Sequence, residues 1–83
     1  MVPPRDRKDS RVLPLRVQQF LFEGMPILKA WRMHLRLTER EVAQRMGISQ
    51  YAYRELEQAP ELRPNTRTRA ADALGISDSQ LIK

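Results

Sequence analysis

Apolar residues along this chain recur at helical spacing, in short stretches broken by glycine and proline. Leu13, Val17, Phe20 and Leu21 fall at i, i+4, i+7 and i+8, which lines one face of a helix. Pro14 suits the first turn, where its missing N–H is not needed. Gly24 and Pro26 close that helix and open the next. A second helix is predicted from about Pro26 to Leu35, with Ile27, Leu28, Trp31 and Leu35 on one side.

The later boundaries are written more sharply. Thr38 and Glu41 have the spacing of a capping box, and Leu37 and Val42 that of a hydrophobic staple. They predict a helix from Glu39 to Met46, ended by Gly47 in a left-handed turn. Ser49 caps the following helix, with Ile48 able to staple to Tyr53, and the helix stops near Gln58, before Pro60. Pro64 with Asn65 or Thr66 opens another, running to Leu74 with Gly75 as its stop. Ser77 and Gln80 form a last capping box, flanked by Ile76 and Leu81, and predict a sixth helix. No segment alternates like a strand, so the expected class is all-α.

Composition narrows the chemistry. With 83 residues, 41% of them hydrophobic, the chain supports one modest core. It has no cysteine, which removes disulfides, thiolate metal sites and thiol nucleophiles together. His34 is the only histidine, so no cluster of histidines holds a metal, and no cofactor is expected. No nucleophile–base pair supports an enzyme. Neither a membrane-spanning apolar run nor the apolar core of a secretion signal is present, so a cytoplasmic location is expected. The net charge of +5 is unevenly placed. Residues 1–16 carry +3, residues 17–62 are neutral and residues 63–83 carry +2. Residues 1–11 read as a flexible basic arm, and residues 12–83 as a single domain. Clustered cations favour a polyanion through counterion release, but the charge alone does not choose between nucleic acid and an acidic protein partner.

Two helices joined by a few residues through a glycine make a helix-turn-helix candidate at residues 38–58. Ala43 is small enough to let the second helix cross the first, and Val42, Met46, Ile48, Tyr53 and Leu56 point inward. The outer face of the second helix then carries Gln50, Tyr51, Arg54 and Glu55. Such a face is either merely solvated or able to bond and stack on base edges.

The segment L-T-E-R-E-V-A-Q-R-M-G-I-S-Q-Y-A-Y-R-E-L-E, Leu37 to Glu57, resembles the helix-turn-helix of the XRE/Cro, lambda-repressor-like family. The flanking I-L-K-A-W-R-M-H-L-R and A-A-D-A-L-G-I are similar to that family's first and fourth helices, so the likeness covers roughly residues 26–82. It implies a five-helix lambda-repressor-like domain, here with an extra N-terminal helix. It also implies a sequence-specific regulator of transcription, a repressor acting as a homodimer on a palindromic operator of double-stranded DNA. By this resemblance Gln50, Tyr51, Arg54 and Glu55 touch bases, while Ser49, Arg40, Arg63, Asn65 and Arg67 touch phosphates, with Arg69 a further cation nearby. Arg32 and Glu57 fall where many members place a buried ion pair, which makes them structural.

The chain departs from the family pattern at several points. Glu39 stands where a phosphate-binding glutamine is common, Ala59 where a glycine is, and Tyr53 where an aliphatic residue is. Arg67 and Thr68 replace apolar residues, which predicts thinner packing of that helix. The leading segment L-P-L-R-V-Q-Q-F-L-F-E-G-M-P-I-L-K-A-W-R is similar to that of helix-turn-helix antitoxins. That likeness implies the alternative of an antitoxin that neutralises a cognate toxin and represses its own operon. Phe20, Leu21 and Trp31 either enlarge the core or, with Leu15, Phe22 or Trp31 outermost, form a dimer or toxin surface. A third alternative, a protein-binding adaptor without DNA affinity, draws on Glu39 and the neutral middle of the chain. His34 is expected at the surface, and Met25, Met33 and Met46 in the core.

Overall fold

A computed structural model describes residues 13–82; the basic segment 1–11 lies outside them. The described residues form five α-helices and no strand: α1 (Leu15–Phe22), α2 (Ile27–His34), α3 (Glu39–Met46), α4 (Gln50–Gln58) and α5 (Pro64–Leu74). A single 3₁₀ turn, Asp78–Leu81, follows. The all-α expectation therefore holds. No described helix is long and apolar enough to cross a membrane.

The helix starts obey their local chemistry. Thr38 Oγ1 accepts the Glu41 N–H at 3.0 Å, and Glu41 Oε1 accepts the Thr38 N–H at 2.8 Å, so both halves of the capping box form. Ser49 Oγ accepts the Ala52 N–H at 3.0 Å. Pro14, Pro26 and Arg63 precede their helices without a side-chain cap, and Pro64 takes the first position of α5. The last capping box, Ser77 with Gln80, heads one 3₁₀ turn rather than the α-helix expected. Ile82 is already extended, and the Gln80 carbonyl is taken by the Trp31 indole N–H at 2.9 Å.

Four helices end alike. After α1, α2, α3 and α5 a residue of positive φ reverses the chain: Gly24, Arg36, Gly47 and Gly75. The next residue, respectively Met25, Leu37, Ile48 and Ile76, donates its N–H back to a carbonyl in the last turn. This is the paired-bond stop that satisfies orphan carbonyls and turns an apolar residue inward. Among the described residues Arg36, at φ 61°, is the one non-glycine in that conformation, and no residue type in the sequence announces it. α4 ends differently, with Ala59 extended ahead of Pro60, the conformation a following proline imposes.

The core is built from Val17, Ile27, Leu28, Trp31, Val42, Met46, Tyr53, Leu74 and Leu81. Ala30, Ala43, Ala70 and Ala71, all buried, let the helix axes approach. One expectation needs correcting, and one pair of alternatives is decided. Met33 is 41% exposed, because the buried stripe of α2 runs through Ile27, Leu28 and Trp31 and leaves Met33 on the far side. Trp31 is buried, edge-on to His34 with ring centroids 5.8 Å apart, so it is a core residue and not part of an outer surface. Leu15 and Phe22 remain outside, at 70% and 93% exposure. α5 buries only Ala70, Ala71 and Leu74, while Thr68 turns back to the Pro64 carbonyl at 3.1 Å.

α3 and α5 also exchange caps. Arg45 Nη1 donates to the Ala73 carbonyl at 3.1 Å, and Arg69 Nη2 donates to the Met46 carbonyl at 2.7 Å. Each arginine thus places its charge at the negative end of the other's helix.

Candidate nucleic-acid interface

α4 is held by its inner face and presents its outer one. Behind it lies a buried polar network. Arg32 Nε donates to Glu57 Oε2 at 2.5 Å and Nη2 to Oε1 at 3.3 Å, while Nη1 reaches the Leu37 carbonyl at 3.1 Å. Tyr53, one turn before Glu57, is fully buried and donates its hydroxyl to Oε2 at 2.6 Å. The buried tyrosine is explained by this bond: its hydroxyl completes the shell of a buried carboxylate. Burial, the bond to Glu57 and the charge of Glu57 all raise the Tyr53 pKa. Burial pulls the Arg32 guanidinium down, but the bond to Glu57 and its charge outweigh that, so the net shift is upward. Arg32 stays a cation. It ties α2, the loop at Leu37 and α4 into one body.

The outer face follows from spacing. Gln50, Tyr51, Arg54 and Glu55 fall at i, i+1, i+4 and i+5, and all four are exposed, Tyr51 by 71%. The three-residue turn Gly47–Ile48–Ser49 fixes α4 against α3, and Ile48 is half-buried beneath it. The structure thus brings the four residues together at the leading half of α4, with the positive end of the helix beside them.

One carboxylate reaches across to this face. Glu39, the first residue of α3, accepts through Oε1 from Arg54 Nη2 at 3.1 Å and Arg54 Nε at 3.3 Å. Gln50 Nε2 points at the same oxygen from 3.5 Å, the outer limit of a bond. The Arg54 bond is the main reason the Glu39 pKa is lowered, opposed by some burial and assisted by Gln50. The sequence marks Glu39 as a departure from the resembled pattern and as support for the adaptor alternative; its bonds to α4 are hidden there because they join residues eleven and fifteen positions apart.

The phosphate candidates divide. Arg40, Arg63 and Asn65 are exposed, and Ser49, also exposed, is already committed to its cap through an oxygen lone pair. Arg67 is turned inward. It is half-buried and lines a cleft of about 540 Å³ with Pro26, Leu56, Leu62 and Leu81, near the trailing end of α4. Its Nε is sealed from solvent and makes no hydrogen bond. Arg69 is bound to the end of α3. Arg67 is therefore turned into the cleft, while Arg69, itself exposed, is engaged at the end of α3.

Comparison with known protein families, with curated proteins and with solved structures finds no match to this chain.

Proposed function

We propose that the chain is a sequence-specific double-stranded DNA-binding regulator of transcription, with α4 as the helix that enters the major groove. The observation that carries this reading is the face of α4 itself. A rigid helix, braced from behind by the Arg32–Glu57–Tyr53 network, presents a glutamine, a tyrosine, an arginine and a glutamate outward. Amide and guanidinium groups are the side chains that pair with two acceptors or donors of one base edge. Arg40 and Arg63 are exposed, and the net charge of the chain is +5, which favours a polyanion. The resemblance of residues 26–82 to lambda-repressor-like domains supports the same reading and adds a homodimer on a palindromic operator. In that arrangement half-sites lie one helical turn, roughly 34 Å, apart.

Enrichment of duplexes from a random-sequence pool, followed by fluorescence anisotropy against KCl, tests the proposal. A preferred duplex emerges, and its affinity falls steeply as salt rises. Equal, salt-insensitive binding of all duplexes, or none at any salt, removes the proposal and leaves the adaptor alternative.

A second reading is favoured by one observation. Leu15 and Phe22 lie about two helical turns apart on α1 and stay largely exposed, which suits a protein-contacting surface. An antitoxin that uses α1 on a toxin and α4 on its own operator fits that surface. A toxin co-purifying with the wild type and lost with Phe22→Ser supports it; a stable, fully active homodimer held through α1 favours the plain repressor.

A further inference from the structure

Glu39 holds the two long polar side chains of the outer face of α4. Its Oε1 takes both the Nε–H and one Nη2–H of Arg54, and faces the amide of Gln50. A guanidinium has five N–H groups in a fixed fork. With the Nε edge of Arg54 turned to Glu39, the end formed by Nη1 and the second Nη2 hydrogen is left pointing away. That is the edge suited to two parallel bonds, such as those to O6 and N7 of guanine. Arg54 remains half-exposed while Glu39 is 23% exposed, so the holder is sheltered and the held group reaches solvent.

Resting on the duplex-binding reading above, we propose that Glu39 is a positioning residue that sets specificity: it orients Arg54, with Gln50, toward base edges and keeps Arg54 off the phosphates. Two effects act together. The ion pair fixes one geometry of a side chain that is otherwise flexible. The carboxylate also repels nearby phosphate, so Arg54 would leave its partner unpaired if it swung to the DNA backbone. As an exposed pair it adds little to stability. Its consequence is orientation. The acidic residue at the start of α3 thus lowers general affinity for DNA and raises discrimination.

The test uses the full chain, the duplex enriched by the wild type and a scrambled duplex of the same length. Affinities are measured across KCl for wild type, Glu39→Gln, Arg54→Ala and the double variant. Glu39→Gln is expected to bind the scrambled duplex several-fold more tightly, with a salt slope steeper by about 0.9, the value of one added phosphate contact. Its preference for the enriched duplex falls about tenfold, the equivalent of losing one paired base contact. In the Arg54→Ala background the same change leaves preference unaltered. Thermal unfolding changes only slightly, because the Arg54 pair is exposed and the Thr38–Glu41 capping box does not use Glu39. If Glu39→Gln tightens both duplexes equally, and does so without Arg54 as well, the carboxylate only repels phosphate and the proposal is overturned while the duplex-binding reading stands. If the wild type prefers no duplex, both fall. The DNA-free protein supplies a separate readout. The Arg54 Nε–H signal in ¹⁵N NMR is sharp and slowly exchanging in the wild type and lost in Glu39→Gln; identical signals in the two overturn the proposal.

Discussion

Replacing Arg32 by methionine examines the brace behind α4 most severely. Arg32 supplies two bonds to Glu57 and one to the Leu37 carbonyl, and Glu57 is only 4% exposed. Without the guanidinium, a carboxylate buried beside Tyr53 keeps a single donor. Breaking one side of a buried pair costs about 3–5 kcal/mol, because an uncompensated charge is left in a low-dielectric site. A domain of this size has a total stability of roughly 4–12 kcal/mol, so the loss is a large share of it. The pair itself is not the source of net stability. Replacing all three members with apolar groups, as Arg32→Met, Tyr53→Phe and Glu57→Leu together, is expected to return most of the loss and to lie within about 1–2 kcal/mol of the wild type. Urea unfolding followed by circular dichroism at 222 nm measures each variant. The single change lowers the midpoint sharply with an unchanged slope, and the triple change restores it. A loss under about 1 kcal/mol for Arg32→Met, or strictly additive losses through the triple variant, would refute the account of the network.

Other outcomes follow from the turns and the carboxylates. Gly47→Val is expected to destabilise by about 2 kcal/mol or more and Gly47→Ala by about 1. No atom lies within 4 Å of an added Cβ at this position, so the loss there is in the backbone alone; equal melting of the two variants and the wild type would count against the left-handed stop. Arg36→Gly is expected to stabilise by about 0.5–1 kcal/mol, since Arg36 occupies φ 61° at a steric cost that glycine avoids; a lower melting temperature would contradict this. Both Glu39, through Arg54, and Glu41, through the Thr38 N–H, have folded pKa values below the ordinary 4.5. Their stabilisation is therefore present above about pH 4.5 and disappears as pH falls through the lowered values. The melting difference between wild type and a Glu39→Gln, Glu41→Gln variant should be flat from pH 5 to 7 and shrink below pH 4; a difference that grows on acidification gives the wrong sign.

Much of the helical frame was legible because its signals are local. Thr38 with Glu41, Ser49, and the pairs Gly47–Ile48 and Gly75–Ile76 specify starts and stops within a few residues. The end of α2 was less legible, since Arg36 takes a conformation that its residue type does not advertise and is held there by Leu37 docking inward. Ser77 and Gln80 formed their box yet yielded a 3₁₀ turn, because a bond from Trp31, 49 positions away, intervenes. The outer face of α4 was legible from its period. What was not legible is what those side chains touch: Glu39 on Arg54, Arg69 on the end of α3, and Arg67 in the cleft beside Leu56 are all set by tertiary geometry. Met33 illustrates the same limit. Its residue type suggests a core position, and only the orientation of α2 decides otherwise.

The most direct measurement of the central claim is an NMR titration of the ¹⁵N-labelled chain with the enriched duplex. The account predicts that amide and side-chain signals of Gln50, Tyr51, Arg54 and Glu55 shift most, with smaller changes at Arg40 and Arg63, while Val17 and Tyr53 in the core stay nearly still. Shifts confined to α1 or to the cleft around Arg67, with the α4 face unmoved, would contradict it.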